Sequence, residues 1–456
     1  TGEIIKGHVS LGSLRVRQDY LIAEGLLRPY TKENENDLMK EMAIKRLRQL
    51  SAHEVGHTIG LSHNFISSAR NRKSVMDYPH PLILFSDNKV DLSKAYDHGI
   101  GDWDKLAINW GYRQFETNEE GQLNKILQDG YKEDIYFISD QDSRPLGSAH
   151  PRSHLWDNGF DASDELNRML TVRRHILDNF FDNAIKLGEP MSSIEEVLVP
   201  MYLLHRYQIE AAAKVVGGLE YNYALKGDGQ LVTKMLTRDH QVKALKSLLN
   251  SIHPKNLSLP EKLIQLIPPR AFGYPRTRET FKSRTGLTFD YLAAAETATN
   301  LTLKMLFNPE RASRLLILKA RDINTQPGLS YVMSEIINET ILKERMDKND
   351  KDNLSNIELE ISKMVNHSVL NHLFMLANSK NTHQEVNARI YYAIKNIKKE
   401  LEQKNPKEHH YHYLSDKIEK FLSGEIDIQY PEELKPPDGS PIGSYNDFIL
   451  SCGSEL

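Results

Sequence analysis

Cysteine is almost absent from this chain, since Cys452, close to the C-terminal end, is the single one among 456 residues. An intramolecular disulfide is therefore excluded, and any zinc site would have to be built from histidine and carboxylate side chains. Long apolar runs are also missing, because no stretch reaches the roughly 18 consecutive apolar residues that a membrane-spanning helix needs. The sequence therefore predicts no transmembrane segment.

A strong excess of charge of one sign is missing as well. The formal net charge is −4 at pH 7, which gives no reason to expect nucleic acid or an anionic membrane as a partner. Hydrophobic residues make up 39% of the chain and charged residues 26%, a balance typical of a protein with real hydrophobic cores. A chain of this length is expected to form about two or three domains.

The start of the chain shows no recognisable signal peptide. The residues from Thr1 to Val16 instead favour a strand, most clearly from Gly7 to Val16, where apolar residues alternate imperfectly with small and polar ones. We therefore expect the chain to be a fragment or a processed form of a longer protein.

Helical periodicity follows this segment. From Asn36 to Ile59 apolar residues recur at helical spacing, which predicts a helix that Gly60 ends in a left-handed turn. Residues 64–100 have the composition of irregular structure, and residues 102–112 predict a further helix. Residues 138–162 have the composition of a polar loop.

Beyond residue 163 the chain is predicted to be mostly helical. These patterns predict an α+β protein, in which a small sheet and one long helix are followed by a large, mainly α-helical region. We expect a mixed α/β domain over residues 1–162, a helical domain over 163–425 that can hold two subdomains, and a loop-like tail over 426–456.

The stretch that carries the chemistry has the letters HEVGHTIGLSH and ends at His63. On a helix, His53 and His57 lie one turn apart on the same face, so both imidazoles can bind one tetrahedral zinc ion. Glu54 stands beside that metal, as a base that takes a proton from zinc-bound water. Gly60 lets the chain leave the helix sharply, and His63 then returns as the third ligand. The open fourth position is typical of a catalytic zinc site.

The length of this motif makes coincidence a poor explanation. HExxH alone arises by chance in ~5% of chains of this length, whereas the added glycine and third histidine lower that expectation to roughly 10⁻⁴. Two alternatives remain. The histidines could lie on a surface helix without any role, or the site could be a degenerate one that binds zinc without turnover.

A second motif supports the first. Residues Ser74 to Tyr78, with the letters SVMDY, resemble the Met-turn of metzincins, in which a methionine lies under the zinc site. Met76 would form an apolar floor beneath the imidazoles. The resemblance implies that Tyr78 approaches the zinc and stabilises an oxyanion. Taken alone, Met76 is explained as an ordinary core methionine and Tyr78 as a buried tyrosine with a satisfied hydroxyl.

Longer stretches are similar to the bacterial Met-zincin domain family, a group of metzincin-type zinc metallopeptidases. They include HEVGHTIGLSHNF, SVMDYPHP, GIGDWDKLAINWGY and PPDGSPIGS, and the similarity extends over most of the chain. The resemblance implies a hydrolase with one catalytic Zn²⁺ in residues 1–162 and a secreted or cell-envelope location. Because His53 lies near the start of this chain, we expect part of the usual upper sheet to be absent or supplied upstream.

The resemblance also implies a place for the substrate, which would be a peptide or a protein. Metzincins receive a peptide as an added strand on an edge strand ahead of the zinc helix. By position, the candidate segment is Gly7, His8, Val9, Ser10, Leu11 and Gly12. An ordinary sheet strand is an equally good interpretation of this segment.

Other interpretations stay open. Asp140 and Asp142 could bind calcium, but two carboxylates are too few for such a site, and a solvated loop is the better interpretation. The peptidase function that the resemblance implies has two rivals, the first of which is suggested by the long helical region. The protein could be a cell-envelope binding or assembly module with a zinc-loaded but inactive relict site, or a zinc hydrolase that acts on an amide outside proteins.

Overall fold

The computed structural model of the protein describes residues 4–11, 13–27, 35–277, 279–343, 354–403 and 409–425. Helices dominate these residues, and two short antiparallel hairpins supply the β-structure within them. The protein is therefore of the α+β class, as the sequence predicts. The tail predicted over residues 426–456 lies outside the described residues.

The first part of the chain carries the helices around the histidine motif. They are α1 (Ser13–Leu27), α2 (Glu35–Thr58), α3 (Asp102–Tyr112), α4 (Glu119–Lys132) and α5 (Asp140–Ser143), with a short 3₁₀ helix at Ser67–Arg70. Between α2 and α3, β1 (Leu84–Ser86) and β2 (Lys89–Asp91) form an antiparallel hairpin. α2 and α3 confirm the two helices that periodicity predicts there.

Later residues form many helices and a second hairpin. The helices are α6 (Ala162–Asp178), α7 (Ile194–Tyr202), α8 (Arg206–Val215), α9 (Arg238–Ser251), α10 (Pro254–Leu257), α11 (Glu261–Gln265), α12 (Tyr291–Leu306), α13 (Pro309–Arg321), α14 (Gly328–Glu339), α15 (Asn356–Ala377), α16 (Gln384–Gln403) and α17 (His409–Ser423). The hairpin pairs β3 (Leu219–Tyr221) with β4 (Thr233–Met235). Within the described ranges, no helix has both the length and the apolar character that a bilayer span requires. The division into domains near residue 162 stays a prediction.

One continuous cluster of buried apolar side chains runs from the beginning of the chain to its last described helix. It includes Met39 in α2, Leu198 in α7, Leu370 in α15 and Ile418 in α17. α1 packs against both α2 and α7. Because burial of apolar surface is the dominant favourable term in folding, the position of α2 depends on helices that come much later in the chain.

The strand predicted from Gly7 to Val16 is wrong. Residues 4–11 contain no strand, and the chain is helical from Ser13 onward. The buried residues Ile22, Ala23 and Leu26 have the spacing of one helical face, and this pattern outweighs the imperfect alternation before it. Among the described residues, no strand precedes α2, and the first hairpin, β1–β2, follows it in the chain.

Replacement of Leu198 by alanine should lower the free energy of unfolding by about 2–5 kcal/mol, because the buried side chain would leave a cavity. Leu187→Ala is the matched control, since this leucine is fully exposed and should change stability by less than about 0.5 kcal/mol. Urea unfolding followed by circular dichroism measures both variants. Equal effects of the two substitutions would contradict the core described above.

Candidate metal centre

α2 carries three of the predicted site residues on adjacent turns. The Nε2 atoms of His53 and His57 lie 3.0 Å apart on one side of the helix. His53 is fully buried and His57 is half-buried. Glu54, which follows His53 directly, is half-buried as well.

α2 ends in a Schellman turn immediately after His57. The Leu61 N–H donates to the Gly56 carbonyl at 3.0 Å. The Gly60 N–H donates to the His57 carbonyl at the same distance of 3.0 Å. Gly60 has a φ of 86°, a left-handed conformation that glycine adopts without steric cost. This turn is the predicted exit from the helix, and it returns His63 Nε2 to 3.2 Å from His57 Nε2.

Backbone carbonyls orient the two helical histidines. His53 Nδ1 lies 2.7 Å from the Val75 carbonyl oxygen, and His57 Nδ1 lies 2.8 Å from that of Leu61. A carbonyl oxygen only accepts, so each Nδ1 carries the proton and each Nε2 keeps its lone pair. Burial lowers the pKa of His53 to about 2 and also lowers the pKa of His57. Both rings are therefore neutral, as metal binding requires.

A carboxylate orients the third histidine. His63 Nδ1 lies 2.9 and 3.1 Å from the two carboxylate oxygens of Asp140 in α5. The Nε–H of Arg144 donates to the same carboxylate. Burial tends to raise the pKa of Asp140, but its hydrogen bonds and charge interactions with His63 and Arg144 outweigh burial and hold the pKa below its usual value. Asp140 is therefore an ionised acceptor behind His63.

The solvated-loop interpretation of Asp140 and Asp142 is wrong. Asp142 accepts hydrogen bonds from the hydroxyls of Tyr221 and Tyr223, so protein groups bind both carboxylates. The composition of residues 138–162 is polar, but the carboxylates of Asp140 and Asp142 accept hydrogen bonds from protein groups. Sequence reasoning missed Asp140 as a site residue because its partner, His63, is 77 positions away.

The three Nε2 atoms fit a tetrahedral metal ion. Nitrogen ligands about 2.0–2.1 Å from such an ion lie about 3.3 Å from one another, and the two adjacent separations here are 3.0 and 3.2 Å. In the part of the chain that the structure describes, His53, His57 and His63 are the one group of three or more His, Cys, Asp or Glu side chains placed to hold a metal. The donor set and its spacing fit zinc.

The predicted Met-turn packs against α2 between the two helical histidines. Met76 is fully buried, and a Cβ on Gly56 would lie only 2.3 Å from its sulfur. The close approach between α2 and Met76 is possible because residue 56 is glycine and has no side chain. Met76 forms a small apolar cluster with Val75 and Trp103, separate from the main core. The role of Met76 as an apolar floor beneath the imidazoles stays a prediction.

Asp104, in the first turn of α3, holds the Met-turn. Its carboxylate accepts from the Ser74 hydroxyl at 2.6 Å and from the Val75 N–H at 2.8 Å. It also accepts from the Gly101 N–H at 2.6 Å. Since the Val75 carbonyl orients His53, Asp104 acts on the site through this turn. An aspartate at a helix start is common for local reasons, so the sequence offers no signal that singles it out.

Tyr78 reaches the point on which the imidazoles converge. Its hydroxyl oxygen lies 2.9 Å from His63 Nε2, and its ring stacks on that of His53 with centroids 4.9 Å apart. The side chain is 2% exposed. The Trp156 N–H donates to the Tyr78 carbonyl at 2.7 Å and holds the backbone. The hydroxyl therefore faces the same space as the Nε2 lone pairs.

The candidate substrate segment lies beside α2, although it is not a strand. Residues 4–11 are mostly exposed, and a Cβ on Gly7 would lie 2.8 Å from Thr58 Cβ. No backbone–backbone hydrogen bond joins residues 4–11 to any other described residue. Gly12 lies outside the described residues.

Comparison with known proteins adds a family match. A family model described as Met-zincin matches residues 35–349. The matched range starts at the first residue of α2 and extends past α14, so it covers the histidine motif and more than half of the chain. No curated protein and no solved structure matches the chain.

The purified protein should contain about one zinc ion per chain, because three imidazole Nε2 atoms converge on one point. The His53→Ala/His57→Ala double variant should contain none after dialysis. The control is His98→Ala/His409→Ala, which removes two exposed histidines and should leave the zinc content unchanged. Elemental analysis measures all three proteins. A parent that stays free of zinc after reloading would contradict the metal centre.

Gly56→Ala should weaken zinc binding and destabilise the fold by about 1–3 kcal/mol, because the new methyl group forces α2 away from Met76. Gly111→Ala is the control, since it is also a helical position but has open space around it and should be neutral or stabilising. Thermal unfolding and a zinc titration distinguish the two variants. Parent-like behaviour of Gly56→Ala would show that the helix and the Met-turn are not in close contact.

Proposed function

The chain belongs to the Met-zincin family, and we propose that it is a zinc-dependent metalloendopeptidase that hydrolyses peptide bonds in peptides or proteins. The observation that carries the proposal is the convergence of three Nε2 atoms, with Glu54 beside them and the Tyr78 hydroxyl facing them. Three protein ligands leave one position open for water or substrate, which is typical of a catalytic zinc site.

His53, His57 and His63 would hold the zinc ion, with each ring oriented by the acceptor at its Nδ1 atom. The Lewis-acid chemistry of the reaction, which polarises the scissile carbonyl and lowers the pKa of water, is supplied by zinc when it is bound. The protein's part is to orient the three rings before the substrate arrives.

Glu54 is the general base. It accepts a proton from the attacking water and returns that proton to the leaving amine. Its position supports this role, because it follows His53 on the helix and is half-buried rather than enclosed. Burial lowers the pKa of His57, and the Glu54 charge acts in the opposite direction, which supports a position of the carboxylate near His57.

Tyr78 stabilises the charge that develops on the carbonyl oxygen. A hydroxyl aimed at that oxygen donates a hydrogen bond that strengthens as the charge grows. The position of the hydroxyl, 2.9 Å from His63 Nε2, supports this assignment.

Residues 7–11 offer the substrate an unpaired backbone beside the zinc helix. A peptide laid against them would find N–H and C=O groups that bind no other described backbone group. The secreted or cell-envelope location that the resemblance implies is part of the same proposal, since a peptidase outside the cytoplasm meets extracellular peptides and proteins.

Glu54→Gln should keep the zinc content of the parent and lose activity by about 10²–10⁴-fold, because the amide cannot accept the proton from water. Glu41→Gln is the matched control on the same helix, where an exposed glutamate pairs with Lys45 at 2.8 Å and should not affect turnover. Cleavage of a peptide library, read by mass spectrometry, measures both. Near-parental activity of Glu54→Gln would show that another group is the base.

The same assay separates the rival functions. A zinc-loaded parent that cleaves no peptide or protein would favour an envelope binding or assembly module with an inactive site. Hydrolysis of small amides without cleavage of peptides would favour a zinc hydrolase of another kind.

A further inference from the structure

We propose that Asp140 is a positioning residue for His63, and that the β3–β4 hairpin holds Asp140 in place through Asp142. This inference rests on the proposed function, because it concerns the same zinc site. If the proposal is right, residues beyond 163 help to position a zinc ligand. A separate binding module would have no such role.

The position of His63 depends more on contacts distant in sequence than the positions of the two helical histidines do. His53 and His57 have their spacing set by α2, whereas His63 follows the helix on an irregular segment. Both carboxylate oxygens of Asp140 lie within hydrogen-bond distance of His63 Nδ1, at 2.9 and 3.1 Å. A carboxylate behind a ligand histidine fixes the orientation of the ring and raises its basicity.

α5, the helix that begins at Asp140, is too short to hold its own position. It has four residues, and so short a helix is not stable without outside contacts. The Arg144 Nε–H and the Ser139 hydroxyl both donate to the Asp140 carboxylate, the latter at 3.2 Å. These bonds orient the carboxylate relative to its neighbours in sequence, but they do not fix α5 within the protein.

The β3–β4 hairpin fixes α5 within the protein. Tyr221, the last residue of β3, and Tyr223, just beyond it, each donate a hydroxyl hydrogen to one of the two carboxylate oxygens of Asp142. The Ser139 N–H donates to the Tyr223 hydroxyl at 3.2 Å. The hairpin therefore binds α5 through a side chain inside the helix and through the backbone at its start.

Basic side chains of the later helices bind the end of α5 and the segment that follows it. Lys214 of α8 is 1% exposed and donates to the carbonyls of Ser143 at 2.5 Å and Ser153 at 2.7 Å. Arg314 of α13 donates to the Gly147 carbonyl at 2.5 Å. Loss of the Lys214 bonds would leave a buried donor unsatisfied, so the segment is held firmly. Asp140 is thus placed against His63 by α8, α13 and the hairpin.

The first experiment compares the zinc affinity of the parent with those of Asp140→Asn and Asp140→Ala, measured by competition with a chelator. Asp140→Ala is expected to weaken zinc binding by about 10–100-fold. Asp140→Asn keeps an oxygen that can accept from Nδ1 but loses the charge, so its affinity should lie between the other two. With cobalt(II) in place of zinc, the visible spectrum should change in the same order, because it reports ligand geometry.

The second experiment tests the hairpin with Tyr221→Phe/Tyr223→Phe, which removes two hydroxyls and leaves the rings in place. Zinc affinity should fall, by less than in Asp140→Ala, and the cobalt spectrum should shift. The matched control is Tyr131→Phe, which removes a hydroxyl that accepts from Gln230 at 3.1 Å. This variant should match the parent in both measurements.

A parent-like affinity and cobalt spectrum in Asp140→Ala would overturn the proposal. The same result in the double tyrosine variant would overturn the part that concerns the hairpin. Circular dichroism checks that each variant folds. If Asp140→Ala does not fold, Asp140→Asn and the double tyrosine variant test the proposal in its place. Because these experiments measure metal binding, their outcome does not depend on catalysis. A protein that binds zinc but cleaves no peptide would contradict the proposed function and leave the role of Asp140 unaffected.

Discussion

The hydrogen bonds at the Nδ1 atoms of the three histidines are the interactions on which the geometry of the candidate metal centre depends. An imidazole without such a bond can rotate about its side-chain torsions and can offer either nitrogen to a metal, and a fixed acceptor at Nδ1 removes both freedoms. The acceptors come from the turn after α2, from the Met-turn and from α5. The three Nε2 atoms converge only where these segments are packed together.

The Met-turn serves this arrangement in two ways. The Val75 carbonyl orients His53, and the next residue, Met76, packs against α2 at Gly56. Asp104 binds the same turn through its buried carboxylate. The distance between the Met-turn and α2 is therefore set by the missing side chain at position 56 and by this carboxylate. A site of this kind tolerates little change in packing, because an added methyl group in a close contact must move the backbone.

The helical part of the site is predictable from the sequence. Periodicity predicts α2, and the structure has Gly60 in the left-handed turn that the motif requires. The strand predicted before it is wrong, because alternation over a few residues is a weaker signal than the helical spacing of Ile22, Ala23 and Leu26. Asp140 looked like a loop residue because its neighbours are polar, and polar composition does not reveal whether the partner is water or protein.

The sequence by itself determined the ligand types, the one-turn spacing of His53 and His57, and the sharp exit that returns His63. These features follow from helical geometry and the conformational freedom of glycine, which act between near neighbours. Only the tertiary structure decided what lies behind each imidazole. The bond between His63 and Asp140 joins positions 77 apart, and it exists because later helices and a hairpin pack around α5. Such packing depends on the whole core, so no local pattern contains it.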